Sequence, residues 1–207
     1  MNIYGECEDQ FSGVKELFNE LHSTDREVGS SFAVYKDGKP IVDIWGGHSN
    51  SNKETVWEKN TLATVWSTTK GVAAITLAYA YEKGLLDYEE KVSKYWPEFG
   101  CNGKEDITVG MLLSHQAGIC GSSTDKVDDY FNQEVMAKEL AQMTPIWEPG
   151  TASGYHSMTY GWLTSELIIR VTGKTLGTYF KEEIGDPNKI DFHIGLPESE
   201  EYRVAEM

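Results

Sequence analysis

Apolar positions in the first third of the chain change period twice. Phe11, Val14, Leu17, Phe18 and Leu21 recur at helical spacing, which predicts an amphipathic helix over residues 10–22 with that row inward. The period then shortens. Residues 31–36 and 40–45 are β-branched and aromatic runs separated by Asp37-Gly38, a two-residue turn signal that predicts an antiparallel hairpin. After an irregular polar run over 46–60 and a short extended piece over 62–65, Val72, Ile75, Leu77, Ala78 and Tyr81 restore the helical period. With Gly84 as stop they predict a helix over 71–83, and helix, hairpin and helix form one α+β layer.

Beyond Gly84 the pattern is that of helices and long loops. Val92, Tyr95 and Trp96 punctuate a charged stretch over 87–96 that Pro97 closes, Thr108 caps a short helix running to His115, and residues 126–142 form a further helix. Trp147-Glu148-Pro149-Gly150 reads as a turn. Residues 160–171 form a helix with Leu163, Leu167 and Ile168 inward and Gly173 as stop, and 175–184 form the last one. The division drawn from this change of character is 1–84 and 85–207, together one domain.

Composition narrows the function classes. With 33 acidic against 18 basic residues and a formal charge of -15, the chain is a poor partner for nucleic acid or an anionic membrane. No apolar run is long enough to span a bilayer and no N-terminal leader pattern is present, so a cytoplasmic location is expected. Cys7, Cys101 and Cys120 are widely spaced and odd in number, which suits free thiols, and the five histidines lack metal-ligand spacing; no metal or organic cofactor is expected.

Candidate chemistry starts at Ser67-Thr68-Thr69-Lys70. On a helix opening near Ser67, Lys70 lies one turn on, so hydroxyl and amine share a face. A lysine pushed toward neutrality by burial can take the serine proton, and the helix N-terminus offers N–H groups to an oxyanion. The competing reading is a plain N-cap serine with Lys70 extended into solvent. Ser-x-x-Lys also occurs at Ser12/Lys15, on a polar helix face, and at Ser123/Lys126, in a loop beside Asp125; only Ser67 precedes an apolar helix. No Gly-x-Ser-x-Gly elbow occurs, and His115 reads as a capping residue before Gly118.

The order Ser67-Thr68-Thr69-Lys70, then Leu112-Leu113-Ser114-His115-Gln116-Ala117-Gly118, then Pro149-Gly150, Tyr155-His156-Ser157 and Gly161 resembles the β-lactamase-related serine hydrolases. That family includes class C β-lactamases, D-Ala-D-Ala carboxypeptidases and family VIII carboxylesterases. Trp45-Gly46-Gly47, residues 95–99 and residues 191–197 resemble the esterase branch. The resemblance implies a sheet layer plus a helical lobe with the active site at their junction. It also implies Ser67 as nucleophile, Lys70 as its proton acceptor and Tyr155 as a second general acid/base, with Tyr160 the rival tyrosine.

Two departures shape the expected function. Tyr155-His156-Ser157 stands where class C lactamases carry Tyr-x-Asn, so the amide that grips a lactam is replaced by Ser157, and the reading tilts to small carboxylic esters. The family's late third motif has no convincing copy; His193-Ile194-Gly195 fits the letters but comes too soon. Trp66, Trp147 and Trp162 are expected walls of the substrate site. Members of the family run to about twice this length, so the chain is expected to be an N-terminal part completed by a C-terminal complement or a second copy. Lactamase or peptidase activity, and an inactive scaffold, are the alternatives.

Overall fold

A computed structural model describes residues 2–24 and 26–207. The chain is α+β and separates into two compact units, 1–65 with 196–207, and 66–195. The boundary between these units falls at 65/66, whereas the sequence pattern placed the change of character at residue 84. The helix after Ser67 goes with the second unit because its buried residues Ala73, Leu77 and Ala80 belong to the same apolar cluster as Leu112, Leu140 and Leu163.

The first unit is built on a three-stranded antiparallel sheet, β1 (Ile3–Cys7), β2 (Gly29–Lys36) and β3 (Lys39–Gly47), in the order β1-β3-β2. The hairpin follows expectation: Asp37 and Gly38 have φ of 51° and 74°, the left-handed pair that a tight two-residue turn requires. β1 is an addition. Its central Gly5 lies opposite Ile44, where a Cβ would stand 2.0 Å from the Asp43 carbonyl, so the strand reaches its partner only because that side chain is missing.

Helix α1 (Ser12–Ser23) rests Phe18 against Val42 and Ile44, with Phe11 and Val14 packed beside them. Leu17 departs from the expected inward row and is exposed, because the sheet's small core accepts only the stripe centred on Phe18. The C-terminal residues return to this unit through a bridge between Leu62 and Val204 and through Glu206, which accepts from the Ser51 N–H and hydroxyl at 2.8 and 2.9 Å.

The second unit carries α2 (Thr68–Glu82), α3 (Val92–Tyr95), α4 (Val109–Leu113), α5 (Gln133–Gln142), α6 (Thr159–Thr172), α7 (Leu176–Phe180) and α8 (Asp186–Asn188). α2 buries Ala73, Thr76, Leu77 and Ala80, while Ile75 and Tyr81, expected inward, are exposed. The apolar stripe thus lies on the small-residue side, which lets α6 approach. α6 runs almost as expected and ends at a left-handed Gly173. One expected helix is broken, and the charged stretch before Pro97 is only partly helical. The stretch 87–96 is helical only at α3, and residues 126–142 divide at Asn132, whose side chain accepts the Val135 N–H and so starts α5 afresh.

One buried cation braces this unit. Lys104 is fully buried, and among the described residues no carboxylate pairs with it; its ammonium donates to the Cys101 and Met143 carbonyls and sits 5.3 Å from the Phe99 ring centroid. Burial lowers its pKa, and the two carbonyls tie the 101–104 turn to the end of α5.

Candidate active site

Ser67, Lys70 and Tyr155 all belong to the second unit. Trp66, with φ of 46°, turns the backbone so that Ser67 stands at the N-cap of α2. Ser67 does not act as a cap. Its own φ and ψ are helical and its side chain accepts no N–H from the first turn, so the hydroxyl is left to other partners.

Those partners come from one turn along α2 and from the loop before α6. Lys70 Nζ donates to Ser67 Oγ at 3.1 Å, and the Tyr155 hydroxyl donates to the same oxygen at 2.7 Å. Lys70 Nζ also donates to the Ser157 carbonyl at 2.7 Å and lies 4.8 Å from the Tyr155 ring centroid. The lysine is therefore half-buried and directed inward, against the competing picture of a solvent-extended chain. The hydrogen bonds that Tyr155 shares with the Ser67 and Lys70 side chains, with the charge of Lys70, lower its pKa below the ordinary tyrosine value. Among the described residues no carbonyl engages the Ser67 N–H, which leaves it free to meet an oxyanion.

The turn carrying Tyr155 is braced from below. Gly154 lies against Trp147, where a Cβ would stand 2.4 Å from the indole, so a larger residue would push the turn off its support. His156 packs edge-on to the same indole at 6.3 Å and His115 lies 5.2 Å from the Tyr155 ring.

The other expected site residues fall differently. Ser157 contributes its backbone carbonyl, Trp66 is exposed beside Ser67, and Trp147 supports the Tyr155 turn. Trp162, expected as a wall, instead stacks on Tyr130 at 5.5 Å. Tyr160 is buried in α6 and packs on His115, as its helical position indicates. His115 is not the simple cap expected of it: its ring accepts the His156 N–H at 3.1 Å. The sequence signal for these histidines was their place inside two matching motifs, but which atoms they bond depends on residues some forty positions apart.

Ser123 is engaged by Glu139, and the His193-Ile194-Gly195 segment lies in a loop rather than on a strand. A cavity of 620 Å³ bordered by Trp96, Ala137, Glu166 and Arg170 exists in this unit, but none of Ser67, Lys70 and Tyr155 lines it. Cys7, Cys101 and Cys120 are free, and among the described residues no cluster of metal-ligating side chains occurs and no helix is long and apolar enough to cross a membrane.

The family description "Beta-lactamase" matches residues 14–207. The chain belongs to the beta-lactamase family. Among its family relatives, Esterase/beta-lactamase LipL of Mycobacterium tuberculosis is 37% identical over 99% of this chain and 48% of its own length. A solved family VIII carboxylesterase superposes with a TM-score of 0.94 at 42% identity, covering 100% of this chain and 57% of the other. A penicillin-binding protein homologue from Caulobacter crescentus gives a TM-score of 0.93 at 39% identity, covering 100% and 56%. The beta-lactamase-family fold is thereby established, and the chain spans about half the length of the curated relatives it matches.

Proposed function

We propose that the chain carries the acylation centre of a serine hydrolase acting on small carboxylic esters. The observation that carries this reading is the Ser67 hydroxyl, released from capping and held by both Lys70 and Tyr155 at hydrogen-bond distance. Either feature alone is ordinary. Together they supply a nucleophile, a proton acceptor and a charge that stabilises the deprotonated acceptor.

We assign proton acceptance to Tyr155 rather than to Lys70, because the hydrogen bonds and the lysine charge favour the phenolate. With Tyr155 first ionised to the phenolate, Ser67 Oγ attacks the ester carbonyl carbon as its proton passes to the Tyr155 oxygen, and the carbonyl electron pair moves onto oxygen near the Ser67 N–H. Collapse breaks the bond to the alcohol, which leaves with the proton from Tyr155. Water then repeats the sequence, losing a proton to Tyr155 while Ser67 regains one and the acid departs.

Esters rather than lactams are favoured by Ser157, whose side chain has no amide to hold a lactam carbonyl. LipL, whose name covers both activities, makes lactam hydrolysis the second reading. A p-nitrophenyl acetate and chromogenic cephalosporin pair tests it: faster turnover of the cephalosporin would reverse the preference. The whole centre is proposed to work in the cytoplasm, with a C-terminal complement or second copy completing the sheet; neither metal nor organic cofactor enters.

A further inference from the structure

Two histidines that the proposed chemistry does not consume hold the turn that delivers Tyr155. His156 is fully buried, and both ring nitrogens are committed: Nδ1 lies 2.7 Å from the Gly154 carbonyl and Nε2 lies 3.2 Å from the Ile119 nitrogen. A carbonyl can only accept and a peptide N–H can only donate. The ring is therefore neutral, with its proton on Nδ1.

His115 closes the other side. Its carbonyl accepts the Gly154 N–H at 3.0 Å, and its Nδ1 accepts the His156 N–H at 3.1 Å, which places its proton on Nε2. Its ring lies against Tyr155 and Tyr160, with centroids at 5.2 and 4.9 Å. The titratable or charged groups facing it are Lys70 from α2, Tyr155 and His156 from the turn, and Tyr160 from α6. No carboxylate stands among them to favour a second proton.

We infer that His115 and His156 are positioning residues for Tyr155, and that a proton on His115 Nδ1 releases the turn and switches Ser67 acylation off in acid. The protonated nitrogen would face the His156 N–H donor to donor. His115 is the more accessible of the pair, so it is the first to take the proton. Burial and the charge of Lys70 keep it neutral to below its ordinary value of 6.5, which puts the switch on the acid side of neutrality.

The inference rests on the esterase reading for its rate, but the ring states do not. The test combines nitrogen NMR of the histidine rings of the 207-residue chain with the rate at which a fluorophosphonate labels Ser67, from pH 8 to pH 5. The expected spectra show His156 protonated on Nδ1 and His115 on Nε2 at pH 7.5. The labelling rate should fall roughly tenfold per pH unit where Tyr155 alone titrates, and roughly a hundredfold per unit once His115 also takes a proton.

His115→Asn tolerates the φ of 64°, offers Oδ1 in place of Nδ1 and cannot titrate. It should restore the tenfold slope in acid. His115→Gly tolerates the same φ without an acceptor and should label at least about tenfold more slowly than His115→Asn at every pH. Opposite tautomers, or an acid slope for His115→Asn as steep as the parent's, would overturn the inference while Ser67 labelling preserves the esterase reading. Complete absence of labelling with the stated tautomers would sink the esterase reading and the acid switch together.

Discussion

The two units differ most in what they can bury. The helical unit closes a continuous core from Ala73 on α2 through Leu112, Leu140 and Leu163 to Tyr179 on α7. The sheet unit's cluster consists of Phe18, Val42 and Ile44, and Phe32 and Tyr35 of β2 stand exposed on an edge strand. A short strand set with one covered face has little apolar area to offset the entropy of ordering it, whereas the helical core does. The Ser67 centre draws all three of its side chains from the unit with the better core, so its geometry rests on the more rigid support.

Substitutions can break this contrast, the largest first. Leu163→Ala removes a fully buried side chain at the centre of the helical core and should cost about 2–5 kcal/mol in urea unfolding. Lys104→Ala leaves the Cys101 and Met143 carbonyls unpaired beside a new void. It should cost about 2–4 kcal/mol, and an unchanged midpoint would show that the buried ammonium contributes nothing. Phe32→Ser, on the exposed strand of the sheet unit, should fall within about 0.5 kcal/mol of the parent. Equal losses for Leu163→Ala and Phe32→Ser would erase the distinction. Amide hydrogen exchange sharpens it, with α2 and α6 expected to outlast β2.

Acid should weaken the helical unit in particular. Burial lowers the pKa of both His115 and His156, so the unfolded chain binds more protons than the folded one near pH 6. Their contribution is present above the unfolded value of about 6.5 and is lost as pH falls through that value toward the folded ones. Melting midpoints at pH 7.5 and 5.5 should therefore drop for the parent and drop less for His156→Asn.

Local signals made much of this legible. The Asp37-Gly38 hairpin, the Thr108 cap, which accepts the Met111 N–H, and the Gly173 stop each rest on a backbone preference within a few residues, and the structure has all three. The one-turn spacing of Ser67 and Lys70 is of the same kind. Strand β1 was invisible because Ile-Tyr-Gly-Glu-Cys shows no alternating stripe and becomes a strand only against β3, some forty residues on. Asn132 went unnoticed as a cap inside an otherwise helical pattern. The buried lysine and the paired histidines were equally hidden, since their partners are carbonyls and N–H groups that no side-chain pattern reveals.

Tyr155→Phe should slow Ser67 acylation by about 10²- to 10⁴-fold by removing the proton acceptor. With Tyr155 as base, the parent rate should climb with pH and level off below the ordinary tyrosine value near 10, because the hydrogen bonds and charge that lower its pKa enlarge the phenolate fraction. A rate unchanged by the substitution would return proton acceptance to Lys70.

The central claim is that Ser67 is the nucleophile, and intact-mass analysis with peptide mapping after fluorophosphonate treatment tests it most directly. One adduct on Ser67 is expected in the 207-residue chain, absent in Ser67→Ala and strongly slowed in Lys70→Ala. An adduct on Ser49 or Ser153 instead, or Lys70→Ala labelling as fast as the parent, would contradict the account.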